Sequence, residues 1–316
     1  MTLPDLEARF LPPEGWQEGY FGNPDTNHKI RFGYAQHSNP SGCILLLGGL
    51  SEFAEKYFET IHDLLARNLS VWTMDWAYQG LSTRNQDNQH KRHSDGFDAD
   101  LSDLHFFIQN HILPQSPSLP MVMVGHSMGG HLGLRYLAQH PDMFKAAAFS
   151  APMLGIKDLQ IYGAAIKFLL RLLSPFHRGY IPGGSDWHEA MRKSDGNDIF
   201  SSDPVRDQVH NAWCLTNPAL QVGAPTLGWL WESINSIHSL TPEALSKIKT
   251  PVLLTTAGKE KIVLNKAIKA AASHIPHASY LEIEGAKHEI LMEKDEYRMQ
   301  FFKAFDGLLK QVKITS

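Results

Sequence analysis

The sequence MVMVGHSMGG at residues 121–130 carries the strongest structural signal in the chain. Its first four residues form a short apolar run before a turn, and such a run is typical of a buried strand. The GHSMG motif follows at 125–129, and a helical pattern extends from about 127 to 139. A Gly-x-Ser-x-Gly motif between a strand and a helix presents its serine on a sharp, strained turn, where the hydroxyl can act as a nucleophile. We therefore predict Ser127 as a catalytic nucleophile, with a purely structural turn as the alternative.

Strand and helix patterns alternate on both sides of this motif. Five further apolar runs predict strands at residues 43–47, 71–76, 146–151, 252–256 and 280–283. Apolar residues at helical spacing predict helices at 51–68, 97–112 and 263–273 and a terminal helix that ends at about 309. Strands that alternate with helices predict an α/β fold with a mostly parallel sheet covered on both faces.

The alternation stops after residue 153 and resumes after residue 239. We therefore predict a core formed by residues 1–153 and 240–316, interrupted by an insertion at 154–239. Within the insertion, an apolar helix is expected at about 159–173, and a Gly/Pro-rich loop follows at 179–185.

Composition narrows the class of protein. The 316 residues include 29 Lys+Arg and 33 Asp+Glu, which gives a net charge of −4, and no dense basic block suggests nucleic-acid binding. Two cysteines, Cys43 and Cys214, are too few for a disulfide framework or a Cys-rich metal site. No secretory signal pattern and no apolar run of roughly 18 residues occurs. We expect a cytoplasmic protein without a metal, a cofactor or an obligate protein partner.

A nucleophilic serine requires a base and an orienting acid, which follow it along the chain in this kind of fold. His288 lies just after the strand predicted at 280–283 and is the predicted base, although a surface histidine is the alternative among 17 histidines. Glu260 is the carboxylate of the loop that follows the strand at 252–256 and is the predicted acid. Its flanking lysines would equally suit a solvated loop.

The backbone N–H groups of Leu50 and Met128 are the predicted oxyanion hole. Leu50 follows Gly48-Gly49 in the turn after the strand at 43–47, and Met128 directly follows Ser127. Backbone amides in these two positions can bind the negative oxygen of a tetrahedral intermediate. A tight turn without a catalytic role is the alternative for the two glycines.

The loop at about 78–94 is polar and precedes further acidic residues. His90 and His93 lie there beside Lys91 and Arg92, with Asp95, Asp98 and Asp100 shortly after. We predict a solvated loop rather than a metal site.

Four segments resemble the lysophospholipase and monoacylglycerol lipase branch of the α/β-hydrolases, and most closely the bacterial lysophospholipase L2 group. They are GGLSEFAEKY at 48–57, DWAYQGLSTR at 75–84, GHSMGG at 125–130 and GAKHEILMEKD at 285–295, and TLGWLWES at 226–233 extends the resemblance into the insertion. The resemblance implies an eight-stranded, mostly parallel sheet with a mainly helical cap inserted after the sixth strand. It also places the family's serine, acid and histidine at Ser127, Glu260 and His288.

Two motifs depart from the family pattern. The first oxyanion turn usually begins His-Gly, whereas position 48 is glycine. The usual Asp-x-Arg-Gly-x-Gly motif is DWAYQG at 75–80, which lacks the arginine and one glycine. Neither change removes a member of the triad, so we expect effects on a pocket wall or on loop packing.

The resemblance implies a serine hydrolase that cleaves the carboxylic ester of a single-acyl lipid, with a lysophospholipid as the first choice. Monoacylglycerol lipase and general carboxylesterase activities are the alternatives, followed by an aminopeptidase or a non-catalytic ligand-binding protein of the same fold. Phe168, Trp229 and Trp231 are weak candidates for substrate binding and could instead fill a small core in the cap. The cap either packs on the core alone, which is the favoured interpretation, or also makes peripheral contact with the inner face of the cell membrane.

Overall fold

A single eight-stranded sheet organises the protein in the computed structural model, which describes residues 5–157, 159, 170–193 and 195–314. The strands are β1 (Gln17–Asn23), β2 (His28–Ala35), β3 (Gly42–Leu47), β4 (Leu69–Met74), β5 (Met121–His126), β6 (Ala146–Ser150), β7 (Val252–Ala257) and β8 (Ala278–Ile283). Their order in the sheet is β1-β2-β4-β3-β5-β6-β7-β8. β2 is antiparallel to both β1 and β4, and all other neighbours are parallel. The predicted α/β fold with a mostly parallel sheet is confirmed.

Helices connect the strands in the described part of the chain. They are α1 (Phe58–Leu65), α2 (Phe97–Phe107), α3 (Met128–Gln139), α4 (Arg206–Thr216), α5 (Leu227–Ser239), α6 (Pro242–Ser246), α7 (Asn265–His274) and α8 (Asp295–Gln311). After α2 the chain continues through a π-helical turn, Ile108–Ile112, into the short helical segment Leu113–Gln115. Each parallel pair of strands requires such a crossover connection, which places helices on the faces of the sheet.

The six strands predicted from apolar runs are present, with ends shifted by two residues at most. The helix predicted at 51–68 is shorter than expected, because α1 begins only at Phe58 after a 3-10 turn at Ala54–Tyr57. Ser51 has a left-handed backbone with φ of 59°, and Phe53 is extended, so the chain before this turn is not helical.

The predicted insertion at 154–239 lies between β6 and β7 and contains α4 and α5 among its described residues. Most of the apolar helix predicted at 159–173, including Phe168, lies outside the described residues. The division into a core and a separate cap stays a prediction. None of the described helices is both long enough and apolar enough to cross a bilayer.

The prediction of a solvated loop at 78–94 was wrong for both of its ends, and Gln79, Ser82 and Asn85 are already buried near its start. Arg92 and His93 are buried, and so is Asp100 in the following helix. The insertion covers Arg92 and His93: His93 Nδ1 lies 2.8 Å from Thr226 Oγ1, and Thr226 N–H donates to the Arg92 carbonyl oxygen at 2.9 Å.

Candidate active site

Ser127 occupies a strained turn between β5 and α3. Its backbone has φ of 49° and ψ of −114°, in a region that residues with a side chain rarely adopt. The Ser127 N–H donates to the Ser150 carbonyl oxygen of β6 at 2.9 Å, and its own carbonyl accepts from the N–H groups of His131 and Met153, both at 3.0 Å. The neighbouring strand and the new helix therefore hold the turn in place.

Glycine is required where α3 begins, because the helix approaches the sheet at backbone distance. A Cβ atom at Gly129 would lie 2.5 Å from the carbonyl oxygens of both Leu47 and Gly48. A Cβ atom at Gly125 would lie 3.0 Å from the Gly130 nitrogen. The glycines of the motif thus bring α3 close to β3 and keep the serine at the edge of the sheet.

The structure brings the three predicted triad residues together in a buried chain of hydrogen bonds. His288 Nε2 lies 3.0 Å from Ser127 Oγ, and His288 Nδ1 lies 2.7 Å from Glu260 Oε2. An ionised carboxylate can only accept, so Nδ1 carries the hydrogen and Nε2 is left to accept the serine proton. All three side chains are buried. This arrangement can generate a serine nucleophile.

Glu260 is held as a carboxylate by its surroundings. Its Oε1 accepts from the N–H groups of Lys261 at 2.8 Å, Ile262 at 2.7 Å and Val263 at 3.3 Å. Burial raises the pKa of Glu260, but the charge and hydrogen bond of His288, together with the backbone donors, outweigh burial and leave the pKa below its ordinary value. Glu260 is therefore ionised at neutral pH and can orient His288.

The turn at residues 48–52, called here the 48–52 turn, lies against the serine. A Cβ atom at Gly49 would be 3.2 Å from Ser127 Cβ. The Gly49 N–H donates to the Glu52 carboxylate, and the Ser51 N–H donates to Gln79 Oε1 at 3.1 Å. Among the hydrogen bonds formed by the described residues, none uses the N–H of Leu50 or of Met128. A substrate oxygen would therefore not compete with an existing partner for either N–H group.

A buried ionic cluster borders the same site. Lys56 Nζ lies 2.6 Å from Glu52 Oε1 and 2.7 Å from Glu289 Oε1, while the Arg192 guanidinium pairs with the Glu289 carboxylate. Burial raises the pKa of Glu289, but Arg192 and Lys56 outweigh burial and hold that pKa well below its ordinary value. The two acids and two bases sum to zero charge.

Three residues in and beside the ionic cluster are close enough together to be considered as metal ligands. Glu52, His126 and Glu289 bring one potential ligand atom each to within 4.8 Å of one another. However, the Lys56 ammonium bridges the two carboxylates, so a cation already occupies the space that a metal would need. Burial lowers the pKa of His126 to about 4, which leaves it neutral. We interpret the group as an ion-pair cluster.

A cavity of about 430 Å³ opens at Ser127 and His288. Its wall is mainly apolar and includes Met153, Ile156, Ile181, Val222, Trp229 and Val263. Trp229 therefore lines the cavity at Ser127, whereas Trp231 lines a second cavity of about 340 Å³ beside His93. The third candidate, Phe168, lies outside the described residues.

Sequence reasoning missed several polar residues of the cavity wall. Glu52 and Glu289 lie inside segments that carried the resemblance, two residues after Leu50 and one after His288, and that proximity was the available signal. Arg192 comes from the insertion and has no local motif around it. Its position in the cavity follows only from the tertiary structure.

Known proteins resemble this chain over most of its length. A protein of Haemophilus influenzae named probable lysophospholipase L2 is 29% identical over 285 residues, which are 89% of this chain and 88% of the relative. The lysophospholipase L2 of Escherichia coli strain K12 is 29% identical over 279 residues, or 85% and 79% of the two chains.

Solved structures show the same fold. A crystal structure of a soluble variant of monoglyceride lipase from Saccharomyces cerevisiae, in complex with a substrate analogue, superposes with a TM-score of 0.75. It is 19% identical, and the superposition covers 99% of each chain.

The sheet order, the Ser127 turn and the relatives agree with a family-level match. The Hydrolase_4 family, described as serine aminopeptidase, S33, matches residues 38–295. That range is more than half of the chain, and the α/β-hydrolase fold expected from the sequence is confirmed. The protein therefore belongs to the serine aminopeptidase S33 family of α/β-hydrolases.

Proposed function

We propose that this protein hydrolyses the carboxylic ester of a single-acyl lipid, with a lysophospholipid as its substrate. The observation that carries the proposal is the buried hydrogen-bond chain from Ser127 through His288 to Glu260 at the wall of an apolar cavity. Carboxylic ester hydrolysis needs a nucleophile, a base and an oxyanion site in one place.

The mechanism follows from the positions of these groups. His288 Nε2 takes the Ser127 proton as Oγ bonds to the acyl carbon, and the carbonyl oxygen becomes an oxyanion that accepts from the Leu50 and Met128 N–H groups. Glu260 stabilises the resulting imidazolium. The ester C–O bond then breaks, His288 gives its proton to the leaving alcohol, and an acyl-enzyme remains. Water attacks that acyl-enzyme with the same assistance, releasing a fatty acid and restoring Ser127.

The cavity supports an acyl chain as the group that the protein binds. Its volume of about 430 Å³ is that of a small-molecule site, and apolar side chains dominate its wall. Each methylene that moves from water into such a wall contributes about 0.8 kcal/mol.

The relatives support a lysophospholipid as the substrate, since two of them at 29% identity carry the name lysophospholipase L2. The cavity wall beside Ser127 also includes Arg192, Glu52 and Glu289. Their charges are balanced within the ionic cluster, so the proposed headgroup rests on the relatives.

Two alternatives have their own support. Monoacylglycerol hydrolysis is supported by the similarity of this fold to that of a monoglyceride lipase. Peptide hydrolysis is supported by the description of the family as a serine aminopeptidase. An aminopeptidase needs a carboxylate that binds the free amine of its substrate, and Glu52 and Glu289 are already paired with Lys56 and Arg192. The lipid ester is therefore preferred to the peptide.

A substrate panel on the purified protein tests the proposal. Hydrolysis of lysophosphatidylethanolamine, lysophosphatidylcholine, monoacylglycerol, short p-nitrophenyl esters and aminoacyl p-nitroanilides would be compared at equal acyl length where an acyl chain is present. We expect the highest kcat/KM on a lysophospholipid. Ser127→Ala should lower kcat by about 10⁴-fold or more, and Glu260→Gln by about 10³- to 10⁴-fold, because His288 would lose its orienting charge.

Ser246→Ala serves as the matched control, since the Ser246 hydroxyl is exposed and bonds only to the Glu243 carbonyl within its own helix. Its kinetics should equal those of the wild type. Full activity in Ser127→Ala would refute the mechanism, and a preference for monoacylglycerol or for an aminoacyl anilide would refute the substrate.

We also propose that the protein is cytoplasmic. Its insertion would make peripheral contact with a membrane surface, where a lysophospholipid resides. The support is an exposed apolar pair, Leu172 and Phe176, in a segment that also exposes Arg171 and Arg178. Apolar side chains flanked by cations are typical of segments that bind anionic membrane surfaces.

A further inference from the structure

The 48–52 turn is held in an unfavourable backbone conformation. Ser51 has φ of 59°, a left-handed value that costs free energy for a residue with a side chain. The carbonyl oxygens of the turn bond to distant side chains: Gly48 accepts from Trp76 Nε1 at 2.8 Å, and Ser51 accepts from His210 Nε2 at 3.3 Å. The turn therefore keeps its shape through groups outside it.

Gln79 makes the largest set of these contacts with a single carboxamide. Its Nε2 donates to the carbonyl oxygens of Gly49 at 2.8 Å and Glu52 at 2.7 Å. Its Oε1 accepts from the Ser51 N–H at 3.1 Å and from Arg92 Nε–H at 2.8 Å. Both donors and both acceptor positions of the amide are used, and the residue is only 1% exposed.

Only one orientation of this amide satisfies its neighbours. Gly49 and Glu52 present carbonyl oxygens, which can only accept, whereas Ser51 N–H and Arg92 Nε–H can only donate. A flip of the amide by 180° would oppose donor to donor and acceptor to acceptor at all four contacts. A carboxylate at position 79 could bind Ser51 and Arg92 but would repel both carbonyls.

Arg92 connects this amide to the other predicted oxyanion donor. Its guanidinium is fully buried, binds Gln79 Oε1 through Nε and places Nη2 at 3.6 Å from Met128 Sδ. The buried Arg92 guanidinium thus contacts both Gln79, which bonds to the turn containing Leu50, and the side chain of Met128.

We infer that Gln79 is a positioning residue for the oxyanion hole: its amide, oriented by Arg92, sets the 48–52 turn so that the Leu50 N–H faces the oxygen that becomes negative at Ser127. The inference rests on the proposed function, because it requires an oxyanion at Ser127. It assigns a role to the DWAYQG segment, in which Gln79 occupies the variable position before Gly80.

Gln79→Glu is the decisive variant, because it has nearly the same shape and loses the two donors that hold Gly49 and Glu52. Loss of an oxyanion donor lowers kcat by about 10²- to 10³-fold, so a displaced donor should lower kcat by about 10- to 100-fold. KM should change by less than about threefold, because ground-state binding uses the apolar wall. Gln221→Glu is the matched control: its Nε2 also donates to a backbone carbonyl, that of Cys214 at 3.0 Å, but outside the turn.

Two inhibitors separate positioning from general damage to the cavity. An acyl trifluoromethyl ketone forms an oxyanion adduct with a catalytic serine, whereas an ether analogue of the lysophospholipid fills the cavity without one. In Gln79→Glu the ketone should bind about 10- to 100-fold more weakly, and the ether analogue should keep its affinity within about twofold. Equal losses for both inhibitors, or a kcat equal to that of Gln221→Glu, would overturn the inference.

Gln79→Met provides a second variant of similar length without any hydrogen bond, to be compared in the same way if Gln79→Glu lacks a cooperative thermal transition. The short p-nitrophenyl ester serves as the substrate in all of these assays, so headgroup preference does not enter. Retained activity in Ser127→Ala would refute the proposed function itself, whereas an inactive Ser127→Ala beside a fully active Gln79→Glu would refute only the role of Gln79.

Discussion

Asp100 on α2 carries a carboxyl group in unfavourable surroundings. It is 3% exposed, and its Oδ2 has no hydrogen-bond partner among the described residues. The charged and titratable groups that act on it are Arg92, Asp103, His28 and Asp95. Burial raises the pKa of Asp100 to about 7, with Asp103 adding to the rise and Arg92 opposing it. Near neutral pH, the folded protein therefore contains a poorly compensated negative charge.

This raised pKa predicts a stability that falls as the pH rises. The ordinary pKa of the group is 3.8, so between that value and about 7 the folded chain holds a proton that the unfolded chain has released. Stability from this group is complete at low pH and is lost through that interval. Asp100→Asn removes the ionisation, and its Tm should exceed that of the wild type at about pH 8 and approach it at about pH 5. Thermal unfolding followed by circular dichroism measures both differences.

Asp98→Asn is the control for this experiment, because Asp98 lies on the same helix and is exposed. Its effect on Tm should be small and should not grow with pH in the same way. A larger gain for Asp100→Asn at about pH 5 than at about pH 8 would contradict the burial argument.

Local sequence predicted the triad, whereas the residues that support it were not predictable. Ser127, Glu260 and His288 each lie just beyond a strand end, so their meeting point follows from the shared edge of a parallel sheet. Gln79 contacts the 48–52 turn across 28 and 30 residues of the chain, and Arg92 contacts Gln79 across 13 residues. No periodic pattern marks such contacts. The polar character of the 78–94 loop even pointed to solvent.

The contact between α3 and the sheet depends on the absence of a side chain at Gly129. Gly129→Ala should lower the free energy of unfolding by about 3 kcal/mol, because the new methyl group would meet backbone carbonyls that cannot move without disturbing β3. Gly307→Ala is the matched variant in α8, where a Cβ atom would meet nothing within 4 Å. That variant should gain about 0.5–1 kcal/mol from reduced backbone entropy in the unfolded chain and higher helix propensity. Urea denaturation measures the change in the free energy of unfolding for each variant, and we expect the two changes to have opposite signs. Destabilisation by both substitutions would contradict this prediction.

The strands differ in how clearly the sequence marks them. Every residue of β3 through β7 is buried, which produces the continuous apolar runs from which these strands were predicted. β1 is mostly exposed, and β2 turns the polar side chains of His28 and Arg31 into buried positions. Arg31 is compensated there by Glu55 and Asp75, at 2.8 and 3.1 Å. Neither strand has the apolar run or the simple alternation that a sequence pattern can detect.

For the molecule as a whole, the proposed membrane contact predicts that charged substitutions at the exposed apolar pair of the insertion weaken binding to anionic vesicles. Leu172 and Phe176 are 61% and 66% exposed, and replacing both with glutamate would place negative charge against an anionic bilayer. Leu172→Glu with Phe176→Glu should lower binding to phosphatidylglycerol-containing vesicles by about tenfold, measured by co-sedimentation. Hydrolysis of a water-soluble p-nitrophenyl ester should stay unchanged.

Met299→Glu provides the control, since Met299 is 49% exposed on α8, outside the insertion. It should bind the vesicles as the wild type does. Equal binding by the double variant and the wild type would show that the insertion does not contact the bilayer.

The parts of the site lie far apart along the chain. Ser127 and His288 are separated by 161 residues, and Glu260 precedes His288 by 28. During synthesis, a ribosome-bound chain can complete its first six strands and display the serine turn while the base is still untranslated. Such a chain has the predicted nucleophile without its predicted base, so we expect it not to hydrolyse esters. We expect esterase activity only after β7 and β8 have joined the sheet and placed Glu260 and His288 beside Ser127. The appearance of activity would then report completed folding.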